Sequence, residues 1–291
     1  MGYLLFMDAL GIQNYYNKGI EFANPVMDRI ILTAKNVFSK SLPVTGTSMK
    51  EDLTNELCIM NDTVFVYSNQ LTDLLYFSVK FLKSMFIPKT NIDPIAFRGT
   101  IVETEKSPKI ISEKDKNINI SKLVIDNISS AMFAEKQKIF GARILIPKKI
   151  IDINNFKKWD ARYATYIMDI EHLKNVNDTY LLGKGFENFY DLAWMIGNNE
   201  KQEKKIYENA VRFWEHAVSN ERTSLHASAT MALLQVSQEK KKRLINYFNK
   251  IYNRQKKAGL INDCKPKEFK KWCEYAKKMG NNQANGLLLH P

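Results

Sequence analysis

Two apolar runs, each meeting an aspartate, set the strongest limit on how this chain can fold. Leu4-Leu5-Phe6-Met7-Asp8-Ala9-Leu10-Gly11-Ile12 is the first; Cys58-Ile59-Met60-Asn61-Asp62-Thr63-Val64-Phe65-Val66-Tyr67 is the second. Runs this apolar and this short read as strands, and a carboxylate among such residues is costly to bury without a partner. Aspartate is also common at strand ends and in tight turns, so either residue alone admits an ordinary turn role. Brought side by side, the two carboxylates form a seat for Mg²⁺ or Mn²⁺. Two such ions about 3.5–4 Å apart can drive in-line attack at a phosphate.

The rest of the chain supplies the frame. Residues 3–8 read as a strand. From Pro25 to Ser41 the apolar residues Val26, Ile30, Ala34, Val37 and Phe38 have the spacing of a helix face. Glu56–Met60 and Thr63–Tyr67 are short strands, and Asn61-Asp62 between them is a hairpin signal. Leu71–Phe86 returns to helical spacing, and Pro94–Val102 is a strand. Glu103–Asn119 is charged and turn-like, a protruding loop by this reading; Ser121–Lys138 reads as a helix and Ala142–Ile146 as a strand closed by Pro147. A late hairpin is expected from Asp178 through Gly183-Lys184-Gly185 and back along Asn188–Trp194. After Gly197-Asn198-Asn199 strand signals stop, and Glu200–Asn220, Thr223–Arg254 and Lys267–Lys278 are helical by pattern.

The expected class is therefore α+β, with a sheet domain at 1–196 and a helical C-terminal extension at 197–291. The opening order is a split β-α-β-β-α-β unit of the ferredoxin-like kind, with the first strand central and beside the hairpin. Asp8 and Asp62 then meet across neighbouring strand ends. The main-chain carbonyl of Ala9 could add a metal ligand. The turn Leu10-Gly11-Ile12 leads toward a helix, so its N–H groups could receive phosphate oxygens, with Gly11 allowing close backbone approach.

Composition narrows the function classes. No run of 18 or more apolar residues exists, which argues against a membrane span. The apolar start has no basic region before it and is interrupted by Asp8, unlike a signal peptide. Cys58, Cys264 and Cys273 lack metal-ligand spacing, and free thiols fit a reducing cytoplasm. The net charge is +12, and about +10 of it lies after residue 195. These basic residues are scattered through helical patterns, including Lys240-Lys241-Lys242-Arg243, so a solvated helix face is favoured over a nucleic-acid surface. Attraction to an anionic nucleotide or partner stays open. The four histidines, His172, His216, His226 and His290, have no mutual spacing for a metal or a triad.

Four motifs in order give a resemblance. Phe6 to Gly11 has the form Phe-x-Asp-x-x-Gly, Asn61-Asp62 is a hairpin aspartate, Phe97-Arg98-Gly99-Thr100-Ile101 is an Arg-Gly strand, and Gly183-Lys184-Gly185 with Tyr190 downstream is a late hairpin turn. Over about residues 3–195 the chain resembles the catalytic domain of class III nucleotidyl cyclases, palm-type enzymes, and within them the bacterial pyrimidine (uridylate or cytidylate) cyclases of Pycsar antiphage defence. The resemblance implies that Asp8, Ala9 and Asp62 hold two Mg²⁺ or Mn²⁺ ions and that Lys184 contacts the triphosphate. The substrate would be a nucleoside triphosphate, UTP or CTP, and the product a 3′,5′-cyclic nucleotide read by a separate effector. Because class III sites lie between two catalytic domains, it also implies a homodimer.

Three positions depart from the family pattern. Many purine cyclases place an Asn and an Arg on the helix after the Arg-Gly strand; Ser130 and Ala134 fall there. Neither replaces a guanidinium, so the missing charge must come from elsewhere, with Arg98 or Arg143 as candidates. For Arg98 a plain strand-end ion pair is equally open. Many adenylyl cyclases read adenine with a Lys six residues before the hairpin aspartate; Glu56 stands there, and it could accept from a base N–H but not donate. This disfavours adenine without separating the other bases. The rival readings are another palm-type nucleotidyl transferase and a degenerate cyclase fold that only binds a nucleotide or partner.

Overall fold

The computed structural model describes residues 2–41, 55–88, 93–106, 109–115, 118–124, 128–132, 140–151, 167–169, 188–192, 194–195, 200–217, and 226–234 apart from 228 and 232. These form a mixed seven-stranded sheet with helices and a separate two-stranded ribbon. The first strand, β1 (Gly2–Ala9), is followed by a single helical turn, α1 (Gln13–Tyr16), and a long helix, α2 (Ile20–Ser41). Strands β2 (Glu56–Met60) and β3 (Thr63–Ser68) make the hairpin, and helix α3 (Leu71–Phe86) leads to β4 (Phe97–Thr104). Next come the ribbon strands β5 (Lys109–Asp115) and β6 (Ile118–Val124), a short helix α4 (Ile128–Ala131), β7 (Ile144–Pro147), β8 (Ile167–Asp169), β9 (Phe189–Leu192) and helix α5 (Glu200–Ala217).

The strand order is β2-β3-β1-β4-β7-β9-β8. β1 is flanked by β3 and β4, both antiparallel to it, so the first strand is central and beside the hairpin. β4 and β7 are parallel, and β7, β9 and β8 continue antiparallel.

Alternation along β1 explains how the sheet is covered. Leu5, Met7 and Ala9 join Val64, Val66 and the apolar faces of α2 and α3 in the main core. Val26, Ile30 and Ala34 of α2 are buried there at the expected helical spacing, although the helix begins earlier than Pro25. On the other sheet face Leu4, Phe6, Phe65, Tyr67 and Val102 cluster with Ala131 of α4. Ile206, Tyr207, Ala210, Val211, Phe213 and Trp214 of α5 enter the main core, as do Ala227, Ala229, Met231, Leu233 and Leu234. Up to residue 234 the described part of the 197–291 extension thus shares the core of the sheet instead of building its own.

Two expectations are corrected. Residues 109–124, read as a loop running into a helix, form the β5–β6 ribbon in the register Lys109↔Val124 to Asp115↔Ile118. Its strands, Lys109–Asp115 and Ile118–Val124, mix apolar, polar and charged residues with no clean period, so the local charge read as loop. The helix expected from Ser121 is described only at Ile128–Ala131, because β6 takes the chain to Val124. The late hairpin is described only at β9, whose outer neighbour is β8 at 167–169. The 178–185 arm with Lys184 lies outside the described residues, as do Ala134 and the helices expected beyond 234.

Candidate active site

Asp8 is the last residue of β1 on the sheet face away from the main core. In the antiparallel ladder it stands opposite Thr63 on β3 and opposite Arg98 on β4. Directly opposed residues share a sheet face, so Met60, Thr63, Asp8 and Arg98 form one cross-strand row. The Thr63 hydroxyl donates to Asp8 Oδ1 at 3.4 Å. Arg98 Nη2 lies 3.6 Å from Asp8 Oδ2, with the arginine side chain 4% exposed and the aspartate 19%. Both contacts exceed the 2.7–3.0 Å usual for strong hydrogen bonds to a carboxylate. Of the two roles open to Arg98, the ion pair is the one seen.

Asp62 is the second residue of the two-residue turn between β2 and β3. Asn61 before it takes φ +53°, a left-handed conformation that Asn tolerates better than most residues. The Asp62 carbonyl accepts the Ala9 N–H at 3.2 Å, which ties the turn to the end of β1. The two aspartates therefore sit at one end of the sheet, Asp8 on β1 and Asp62 in the turn that enters the adjacent β3. A regular pleat would put residue 62 across from Ala9, on the face opposite Asp8. The turn ends that alternation, so the pleat does not fix which way the Asp62 carboxyl points.

The loop after Asp8 is pinned by the sheet. The Leu10 N–H donates to the Ala96 carbonyl at 2.8 Å, which takes Leu10 out of the set of amides that could receive a phosphate oxygen. Gly11 holds φ +79°, where a side chain would be strained. Ile12 precedes α1, and the side chains of Leu10 and Ile12 are buried in the main core.

Glu56 begins β2 opposite Tyr67. It shares the sheet face of Asp8 but lies four residues along the strand from the Asp8 row, about 13 Å. Partial burial pushes its carboxyl above the ordinary carboxylate range. The row between holds Cys58, Phe65, Phe6 and Thr100. That row is core: Phe6, Phe65 and Thr100 are buried, so it separates Glu56 from Asp8.

The other cation candidate is committed elsewhere. Arg143 Nε donates to both Asp191 carboxylate oxygens, at 3.0 and 3.2 Å, and Nη2 adds a further bond to Oδ2. Both side chains are buried, 0% and 2% exposed. This bidentate pair ties the entry of β7 to β9, so Arg143 is a structural group. Ser130 of α4 is exposed and lines a cavity of about 710 Å³ with Lys148, Lys149 and Asn188 among its walls.

Sequence reasoning missed Thr63 and Asp191. Thr63 was legible in principle, since a two-residue turn at 61–62 fixes the residue that follows it. Asp191 lies 48 residues from Arg143, and nothing local marks the pair. Among the described residues no group of three or more His, Cys, Asp or Glu side chains could hold a metal ion. No helix among them is long and apolar enough to cross a membrane. No protein-family model matches the chain, and neither does any curated protein.

Proposed function

We propose that the chain is a metal-dependent pyrimidine nucleotide cyclase with a ferredoxin-like, palm-type catalytic domain. It converts UTP (or CTP) to the 3′,5′-cyclic nucleotide and pyrophosphate. One observation carries the reading: Asp8, near the end of β1, and Asp62, in the turn before the adjacent β3, lie at one end of the sheet, tied by the Ala9 to Asp62 backbone bond. The donor types suit the cation. Mg²⁺ usually takes one or two carboxylates and completes its shell with water and substrate phosphates, so two aspartates and a carbonyl suffice without a third acidic side chain. Bound there, Mg²⁺ or Mn²⁺ supplies acidity to the ribose 3′-hydroxyl and offsets charge on the phosphates.

In the reaction the 3′-oxygen attacks the α-phosphorus, the bond to the β-phosphate oxygen breaks, and the hydroxyl proton is lost as pyrophosphate leaves. The chain's own part is to hold these atoms in line. Asp8, steadied by Thr63 and Arg98, and Asp62 on the hairpin turn form the anionic end. Glu56, on the same sheet face, can accept from a base N–H. Lys184 is assigned to the triphosphate. Two chains pair so that each completes the other's site, and in antiphage defence the product acts on a separate effector in the cytoplasm.

The test is to incubate purified chain and Mn²⁺ with ATP, GTP, CTP and UTP and detect products by mass. Cyclic UMP or cyclic CMP is expected, with Asp8→Ala and Asp62→Ala inactive. Turnover of none of the four by folded, dimeric protein would overturn the reading. A second reading, a degenerate cyclase fold that binds nucleotide only, is favoured by Ser130 at the family's ribose-orienting position and by the sequestration of Arg143 in its buried pair. Calorimetry showing nucleotide binding that is indifferent to Mn²⁺ would select it.

A further inference from the structure

Arg98 lies beside the proposed metal ligands, yet it is buried and paired to one of them. We propose that Arg98 is a positioning residue that makes divalent-cation binding at Asp8 and Asp62 conditional on the nucleotide's phosphates. The inference rests on the metal-dependent reading above.

The sheet holds the guanidinium's strand in place. β4 is hydrogen-bonded to β1 along its whole length on one side, and on the other Gly99 N–H donates to the Arg143 carbonyl at 2.7 Å. Gly99 makes the close approach possible: a β-carbon there would stand 1.9 Å from the Phe6 carbonyl oxygen. The next residue is fixed as well, since the Thr100 hydroxyl donates to the Ala131 carbonyl at 2.6 Å. Arg98 therefore cannot leave the Asp8 row by a shift of its strand.

The consequence is electrostatic. A guanidinium keeps its proton in proteins. Without a divalent ion, Asp8 offsets the Arg98 charge at 3.6 Å. A dication seated on Asp8 stands a few ångströms from the Arg98 guanidinium, and like charges at that range repel most where water is scarce. The triphosphate reverses the balance by bringing anionic oxygens that both cations can share. Metal binding is weak before the nucleotide arrives and tight after it, and that is the coupling assigned to Arg98. Arg143, by contrast, is held by a buried bidentate pair with Asp191.

The experiment is a Mn²⁺ titration of the full chain followed by the electron paramagnetic resonance signal of free Mn²⁺. It is run with and without α,β-methylene UTP and corrected for the analogue's own Mn²⁺ binding. For the wild type the analogue is expected to tighten Mn²⁺ binding at least tenfold. Arg98→Met is expected to bind Mn²⁺ alone about tenfold tighter than wild type and to lose most of the analogue's effect, while Arg98→Lys keeps it. Folded Arg98→Met that binds Mn²⁺ alone no tighter than wild type overturns the proposal. So does a wild-type affinity that the analogue leaves unchanged, a result that stands whether or not the variant folds. Neither of these outcomes touches the metal reading. Wild type that binds no Mn²⁺ in either condition removes that reading, and this coupling with it.

Discussion

Arg143–Asp191 and Arg98–Asp8 pair the same two residue types on the same sheet, and the sheet holds them differently. The first pair is sealed, with both side chains essentially inaccessible and the guanidinium bonded to both oxygens of one carboxylate. The second stands at a strand end, where the arginine is buried but the carboxylate reaches solvent and the closest contact is 3.6 Å. A sealed bidentate pair has its geometry satisfied and behaves as a staple between β7 and β9. A loose pair with one accessible partner can exchange its counter-ion. Residue type therefore does not separate a sealed ion pair from an open one; accessibility of the anion and the length of the contact do.

The largest test of this difference is to delete each anion. Asp191→Ala leaves Arg143 buried without its carboxylate and is expected to cost about 3–5 kcal/mol in denaturant unfolding. Asp8→Ala is expected to cost less than half as much while abolishing turnover. Equal destabilisation by the two would make Asp8 a second staple and erase the contrast.

A smaller effect is expected at Gly99. Placing a β-carbon 1.9 Å from the Phe6 carbonyl must push β4 away from β1. Gly99→Ala should cost about 1–3 kcal/mol, the range of an overpacked core. It should also weaken turnover, because the Asp8–Arg98 row is next to it. Retained stability with lost activity would separate strand spacing from folding.

The smallest shift is expected from a third buried cation, Lys83 on α3. Burial, with Lys80 nearby adding to it, pushes its ammonium down to about 8. Its folded value is then below its unfolded value of about 10.4, so the unfolded chain binds more protons between them and stability rises with pH across that window. Lys83→Met lacks this penalty. It is expected to melt higher than wild type at pH 7, and the gap is expected to close as pH rises from about 8 toward 10. A gap independent of pH would assign the difference to packing instead of charge.

The sequence made the central strands legible because their signals are local and strong. Leu4 to Met7 can be little but a strand, and Asn61-Asp62 between two apolar runs specifies a tight hairpin in which Met60 pairs with Thr63. Helix α2 was legible for the same reason, from Val26, Ile30 and Ala34 at helical spacing. The β5–β6 ribbon was not, because a two-stranded ribbon needs few apolar residues and its charged side chains read as loop. The packing of α5 on the sheet core was also hidden. Ile206, Tyr207, Val211 and Trp214 show that the helix has an apolar face, but not which surface covers it. In the candidate site the aspartates were visible from their flanks, whereas the partners of Asp8 and Arg143 depend on register between distant strands.

The claim that most of this depends on is that residues 8 and 62 grip a common cation. Crystals grown with Mn²⁺ and α,β-methylene UTP test it directly through the manganese anomalous signal. A peak with one carboxylate oxygen of Asp8 and one of Asp62 each about 2.1–2.2 Å away, at the oxygen distances of hard divalent ions, is the expected result. Manganese bound elsewhere, or Asp62 turned to the α2/α3 face with no shared ion, would contradict it.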